Sequence, residues 1–94
     1  MPIVMMMDTP HMTPAQYDKS LKLLGLEGKL PPGCRAHIAG PAADGTSWRV
    51  ITIWETVALA RQFMVTKLRA VQEAAGIKAP VTPPVTWELH NLLV

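Results

Sequence analysis

Cys34 to Thr56 reads C-R-A-H-I-A-G-P-A-A-D-G-T-S-W-R-V-I-T-I-W-E-T. Two runs rich in apolar and β-branched residues, Cys34 to Ala39 and Trp48 to Glu55, flank a segment marked by Gly40-Pro41 and Asp44-Gly45. That punctuation predicts a hairpin. Side chains alternate along a strand, so Trp48, Val50, Thr52 and Trp54 share one face and Arg49, Ile51, Ile53 and Glu55 the other. Apart from the strand ends both faces are apolar, which predicts a sheet covered on both sides.

Outward from the hairpin, Ile3 to Met7 is apolar on both alternating faces and predicts a first strand, closed by Asp8-Thr9-Pro10. Its three consecutive methionines are flexible fillers, which would suit an adaptable pocket but fit plain core filling better. Thr13-Pro14-Ala15-Gln16 predicts a helix start: Thr13 caps, Pro14 takes the first helical position, and Gln16 completes a capping box. Tyr17, Leu21 and Leu24 form the buried stripe, Gly25 ends the helix, and Leu26 to Gly33 is a connecting loop. On the other side Thr56 caps a second helix reaching about Ala75, with Gly76 as its stop. Ala60, Phe63/Met64, Leu68, Val71 and Ala75 form its stripe. Lys78 to Pro84 is a proline-interrupted linker, and Val85 to Val94 predicts a last strand.

The order is β-α-β-β-α-β, the ferredoxin-like arrangement of the α+β class: a four-stranded antiparallel sheet with two helices on one face. The sheet's other face then needs a cover, and a second copy of the chain is the plainest one. The 94 residues predict one domain, residues 1–94. At 49% hydrophobic and 17% charged, the chain is less charged than the roughly 25% of a usual soluble domain. This again points to a homodimer.

The net charge of +2 comes from singly scattered Lys and Arg, without the cluster that nucleic acid or an anionic membrane requires. The second hairpin strand also lacks the basic-Gly-aromatic motif of RNA-recognition domains. No stretch approaches the roughly 18 apolar residues of a membrane span, and the N-terminus lacks the basic segment of a signal peptide. With one cysteine, Cys34, no internal disulfide is expected, and a cytoplasmic location follows.

Several stretches resemble the dimeric α/β-barrel superfamily, near the antibiotic-biosynthesis monooxygenase family and an uncharacterised bacterial branch of it. They are M-T-P-A-Q-Y-D, H-I-A-G-P with D-G-x-x-W-R-V, I-W-E-T and H-N-L-L. The resemblance spans nearly the whole chain. It implies a homodimer packed sheet to sheet and a cavity between sheet and helices, lined by a strand tryptophan at the position of Trp54. That cavity would hold a small aromatic or polyketide-like molecule, which reacts with oxygen or exchanges a proton without metal or flavin. The residue four positions before Trp54, where a polar group would be wanted, is Val50.

Such chemistry needs apolar walls, a group to take a proton, and a donor for the resulting anion. His37 is the candidate base and the Trp54 N–H the candidate donor. Tyr17, Thr52, Phe63 and His90 are candidate pocket residues. The competing reading makes Trp54 core, His37 a hydrogen-bonded strand residue, and the protein a non-catalytic dimer that binds a ligand or serves a structural role. His11, His37 and His90 have no ligand spacing within an element, so no metal is expected, and no cofactor.

Overall fold

The computed structural model describes residues 2–26, 28–74 and 84–93. The strands are β1 (Ile3–Pro10), β2 (Cys34–Pro41), β3 (Ser47–Trp54) and β4 (Val85–Glu88); the helices are α1 (Pro14–Leu24), α2 (Val57–Phe63) and α3 (Arg69–Ala74). The sheet order is β2-β3-β1-β4 with every neighbouring pair antiparallel. This is the ferredoxin-like α+β arrangement expected from the order of elements.

The local signals act as their chemistry dictates. Thr13 Oγ1 accepts from the Gln16 N–H at 3.1 Å, and Gln16 Oε1 accepts from the Thr13 N–H at 3.0 Å, closing the capping box of α1. Gly25 ends that helix in the left-handed conformation, φ +72°. In the hairpin loop the Asp44 carboxylate accepts from the backbone N–H groups of Thr46 and Ser47 at 2.9 and 2.8 Å. Those bonds, Ser47's first, hold its pKa down to about 2. Thr56 caps α2 by accepting from the Leu59 N–H at 3.2 Å.

Several boundaries differ from the sequence reading. β2 does not end at Ala39 but runs through Gly40 and Pro41, which pair with Arg49 and Trp48, and β3 spans Ser47–Trp54 rather than Trp48 to Glu55. β1 does not close at Asp8-Thr9-Pro10 but continues through it, because Asp8, Thr9 and Pro10 pair with Arg49, Trp48 and Ser47. Asp8 also forms a two-pronged ion pair with Arg49, at 2.8 and 2.9 Å, which holds a polar residue in the strand. β4 stops at Glu88 rather than running towards Val94. Glu88 faces Ile3, the first residue of β1, and the Leu89 N–H makes a last bond to the Pro2 carbonyl at 3.0 Å. Residues 90–93 therefore have no β1 backbone beside them. The second helix, finally, widens into a π-helical stretch, Met64–Leu68, between α2 and α3. There the Thr66 hydroxyl donates to the Gln62 carbonyl at 2.7 Å, competing for the helix's own acceptor. The expected helix stop at Ala75-Gly76 and most of the Lys78 to Pro84 linker lie outside the described residues.

The register fixes the two faces of the sheet. Ile3, Met5, Met7 and Thr9 pair with Trp54, Thr52, Val50 and Trp48. Ile3, Met5, Met7, Cys34, Trp54 and Ala60 form the buried core, with Leu59, Phe63 and Met64 packed on it. This is the helix face. On the opposite face Val4 and Met6 lie beside Ile53, Ile51, Trp87 and Val85, with Ile38 next to Ile51. Ile38 is 63% exposed, Val85 52% and Trp87 46%. The exposure lies on the edge strands β2 and β4, while Val4 in the middle of the sheet is buried, at 6%.

One irregularity matters for function. Cys34 pairs with Trp54 and Ala36 with Ile53, so Arg35 is an extra residue bulged out of β2. Its guanidinium reaches Glu55 at 2.7 and 3.0 Å. Strict alternation would put Cys34 and His37 on opposite faces. The bulge puts both on the helix face.

Candidate active site

His37 faces Thr52 across the β2/β3 ladder, and Ala39 rather than His37 faces Val50. Both registers leave His37 on the helix side, where α1 lies over it. There the Tyr17 hydroxyl and His37 Nε2 share a hydrogen bond at 2.5 Å, with ring centroids 5.9 Å apart. Burial pushes the His37 pKa down. Burial, then the charge of Asp18, pushes the Tyr17 hydroxyl up. Near neutral pH the pair is therefore uncharged.

This pair sits in the wall of a cavity of about 50 Å³ between sheet and helices. Tyr17, His37, Thr52, Trp54 and Phe63 all line it. His90 does not. It lies past the end of β4 and is exposed, because that strand is too short to carry it towards the helices. Much of the remaining lining is apolar, with Met5, Met7 and Met12 among it. Cys34 also lines the cavity; burial raises its pKa, and its thiol donates to the Ala36 carbonyl at 3.3 Å. That environment makes an inert thiol rather than a nucleophile. The volume is well below the roughly 300–1,000 Å³ of ordinary ligand sites. A ring-sized occupant must displace side chains, and methionines are the ones that move most cheaply.

Trp54 is 1% exposed, with its ring 5.3 Å from that of Phe63. Its N–H is not free for a ligand, since it donates to Thr52 Oγ1 at 2.8 Å. Trp54 thus serves as wall, and its donor is already used inside the protein. Trp48, which sequence reasoning did not single out, shows the reverse. It lies on the helix face opposite Thr9, with its ring 5.3 Å from that of Tyr17. Its Nε1 is buried and, among the described residues, has no hydrogen-bond partner. An unmet buried donor costs about 1–3 kcal/mol. The signal for Trp48 was its place on the Val50/Thr52/Trp54 face; what hid it was the missing pairing with Thr9.

Among the described residues no group of three or more His, Cys, Asp or Glu side chains is arranged to hold a metal ion. Nor is any helix long and apolar enough to cross a membrane. Asp8, at the end of β1, is turned to the open face by its bond to Arg49, away from the cavity.

The chain matches no protein-family model, and no curated protein matches it either. Solved structures of the same fold do. A Chloroflexus aurantiacus J-10-fl protein provisionally named an antibiotic biosynthesis monooxygenase is 10% identical, with a TM-score of 0.69 over 100% of this chain and 98% of its own. A variant of SnoaB, a cofactor-independent oxygenase from Streptomyces nogalater, is 14% identical, with a TM-score of 0.63 over 98% and 96%. A dimeric ferredoxin-like protein of unknown function from Thermobifida fusca is 17% identical, with a TM-score of 0.61 over 95% and 92%. This chain shares their fold. At such identities the likeness speaks for the backbone, not for the chemistry.

Proposed function

We propose that the cavity beneath the helices binds a small aromatic or polyketide-like molecule, and that His37, held by Tyr17, takes a proton from it. The observation that carries this reading is the Tyr17–His37 hydrogen bond set into an otherwise apolar cavity. A neutral imidazole with a depressed pKa is a base ready at neutral pH, and its hydroxyl partner fixes the ring. An aromatic carbanion formed there could react with oxygen without metal or flavin. The fold shared with a cofactor-independent oxygenase agrees with that chemistry. Thr52, Trp54 and Phe63 supply shape, with Trp54 as wall rather than donor.

We further propose that the chain is a cytoplasmic homodimer, closed over the face that carries Ile38, Ile51, Ile53 and Trp87. Burying that face removes exposed apolar area that a monomer would leave in water. The dimeric protein of the same fold supports this, and the single buried thiol fits a reducing compartment.

One observation favours a second reading. A cavity of about 50 Å³ suits a non-catalytic dimer whose interior is merely imperfectly filled. One experiment separates the two: oxygen uptake and tryptophan quenching measured together with 9-anthrone, an aromatic ketone bearing an acidic C–H. The enzyme reading expects uptake that falls roughly 10²–10⁴-fold in His37→Gln, the usual worth of a general base. Quenching without uptake leaves a binding protein, and neither signal leaves a structural one. For assembly, sedimentation at micromolar concentration should give a dimer, and Ile38→Glu a monomer. A monomeric wild type refutes the assembly.

A further inference from the structure

The two tryptophans of β3 that face the helices differ in one respect: one has its N–H satisfied and the other does not. Trp54 donates to Thr52, whereas the buried Trp48 Nε1 has no partner among the described residues. An indole N–H can only donate, so the missing partner must be an acceptor. The open face of the sheet cannot supply it, because the register with Thr9 and Pro41 turns Trp48 to the helix side.

What lies nearby is the end of the cavity. Thr9, the register partner of Trp48, and Tyr17, whose ring is 5.3 Å from the indole, both line it, as does Met12. Trp48 stands at the margin of the space and does not form part of its wall. An occupant larger than about 50 Å³ must widen the cavity, and Met12, which lines it three residues along the chain from Thr9, is a flexible side chain. Widening there brings a ligand to Trp48 and, through Tyr17, to His37.

We propose that Trp48 is the donor that holds the oxygen of the bound molecule, so that Tyr17, His37 and Trp48 form the polar end of the site. The ligand is then an aromatic compound bearing a carbonyl or phenolic oxygen rather than a plain hydrocarbon. As His37 removes a proton, negative charge gathers on that oxygen, and the Trp48 N–H meets it. This role rests on the proposed function above.

The test compares 9-anthrone with 9,10-dihydroanthracene, which has the same three rings but no oxygen. Binding to wild type is expected to favour anthrone, and Trp48→Phe should weaken anthrone about tenfold, near the net worth of one hydrogen bond. Dihydroanthracene should stay within about twofold of its wild-type affinity, which also reports that the variant is folded. In the ¹⁵N spectrum of wild type, the indole resonance missing from Trp48→Phe should move downfield with anthrone and not with dihydroanthracene. Equal weakening of both ligands, or an indole resonance indifferent to anthrone, overturns the role of Trp48 and leaves the proposed function standing. Failure of wild type to bind either compound overturns both.

Discussion

Thr52→Val puts a number on the bond that removes Trp54 from the chemistry. Valine keeps the shape of threonine and replaces only the hydroxyl. Thr52 is 7% exposed and Trp54 1%, so bulk water does not reach the place of the lost acceptor. The Trp54 N–H at 2.8 Å is left buried and unmet, at about 1–3 kcal/mol. The second bond of the Thr52 hydroxyl, to the Met5 carbonyl at 3.5 Å, is long and contributes little. In a domain of this size each kcal/mol lowers Tm by about 4–8 °C, so a fall of roughly 8–16 °C is expected for a loss of about 2 kcal/mol. The assay is thermal unfolding by circular dichroism at fixed protein concentration, since association would make Tm concentration-dependent. Trp54→Phe provides the control. With the donor gone, adding Thr52→Val should cost about 1–2 kcal/mol less than it does in wild type. An unchanged Tm, or an equal loss in both backgrounds, would refute the assignment and return Trp54 to the list of donors.

Two further expectations follow from the geometry. A Cβ on Gly33 would lie 2.7 Å from Leu59 Cδ1, at a backbone φ of +84°. Gly33→Ala should therefore destabilise by more than about 1 kcal/mol, and Leu59→Ala in that background should restore only the steric part; denaturant unfolding reads both. His37, lowered by burial, binds its proton more weakly folded than unfolded. Its contribution is fully present above the unfolded pKa of about 6.5 and declines as pH falls through that value towards the folded one. An imidazole titration followed by NMR should place the midpoint below that of a free histidine, and a midpoint above it would contradict the burial.

The likeness between the sequence pattern and the fold has a physical basis in particular residues. Thr13 and Gln16 cap each other across three positions, and Gly25 and Asp44-Gly45 act within a few residues of themselves. Such signals are local, so they are legible in any context. The doubly apolar β1 and β3 foretold a sheet with two demanding faces, and the open face of Ile38, Ile51, Ile53 and Trp87 is the second of them. β4 misled because Leu89 to Leu93 keeps a strand-like composition, while its length is set by where β1 begins.

The strands and two helices, their order and their apolar faces were determined by the sequence itself, because periodicity and capping are nearest-neighbour chemistry. Tertiary structure alone decided which groups meet. The Arg35 bulge swings Cys34 and His37 onto one face, α1 lays Tyr17 on His37, and Thr52 takes up the N–H of Trp54 while that of Trp48 goes unmet. Each of these depends on register between distant strands, and a shift of one residue would turn every side chain to the opposite face.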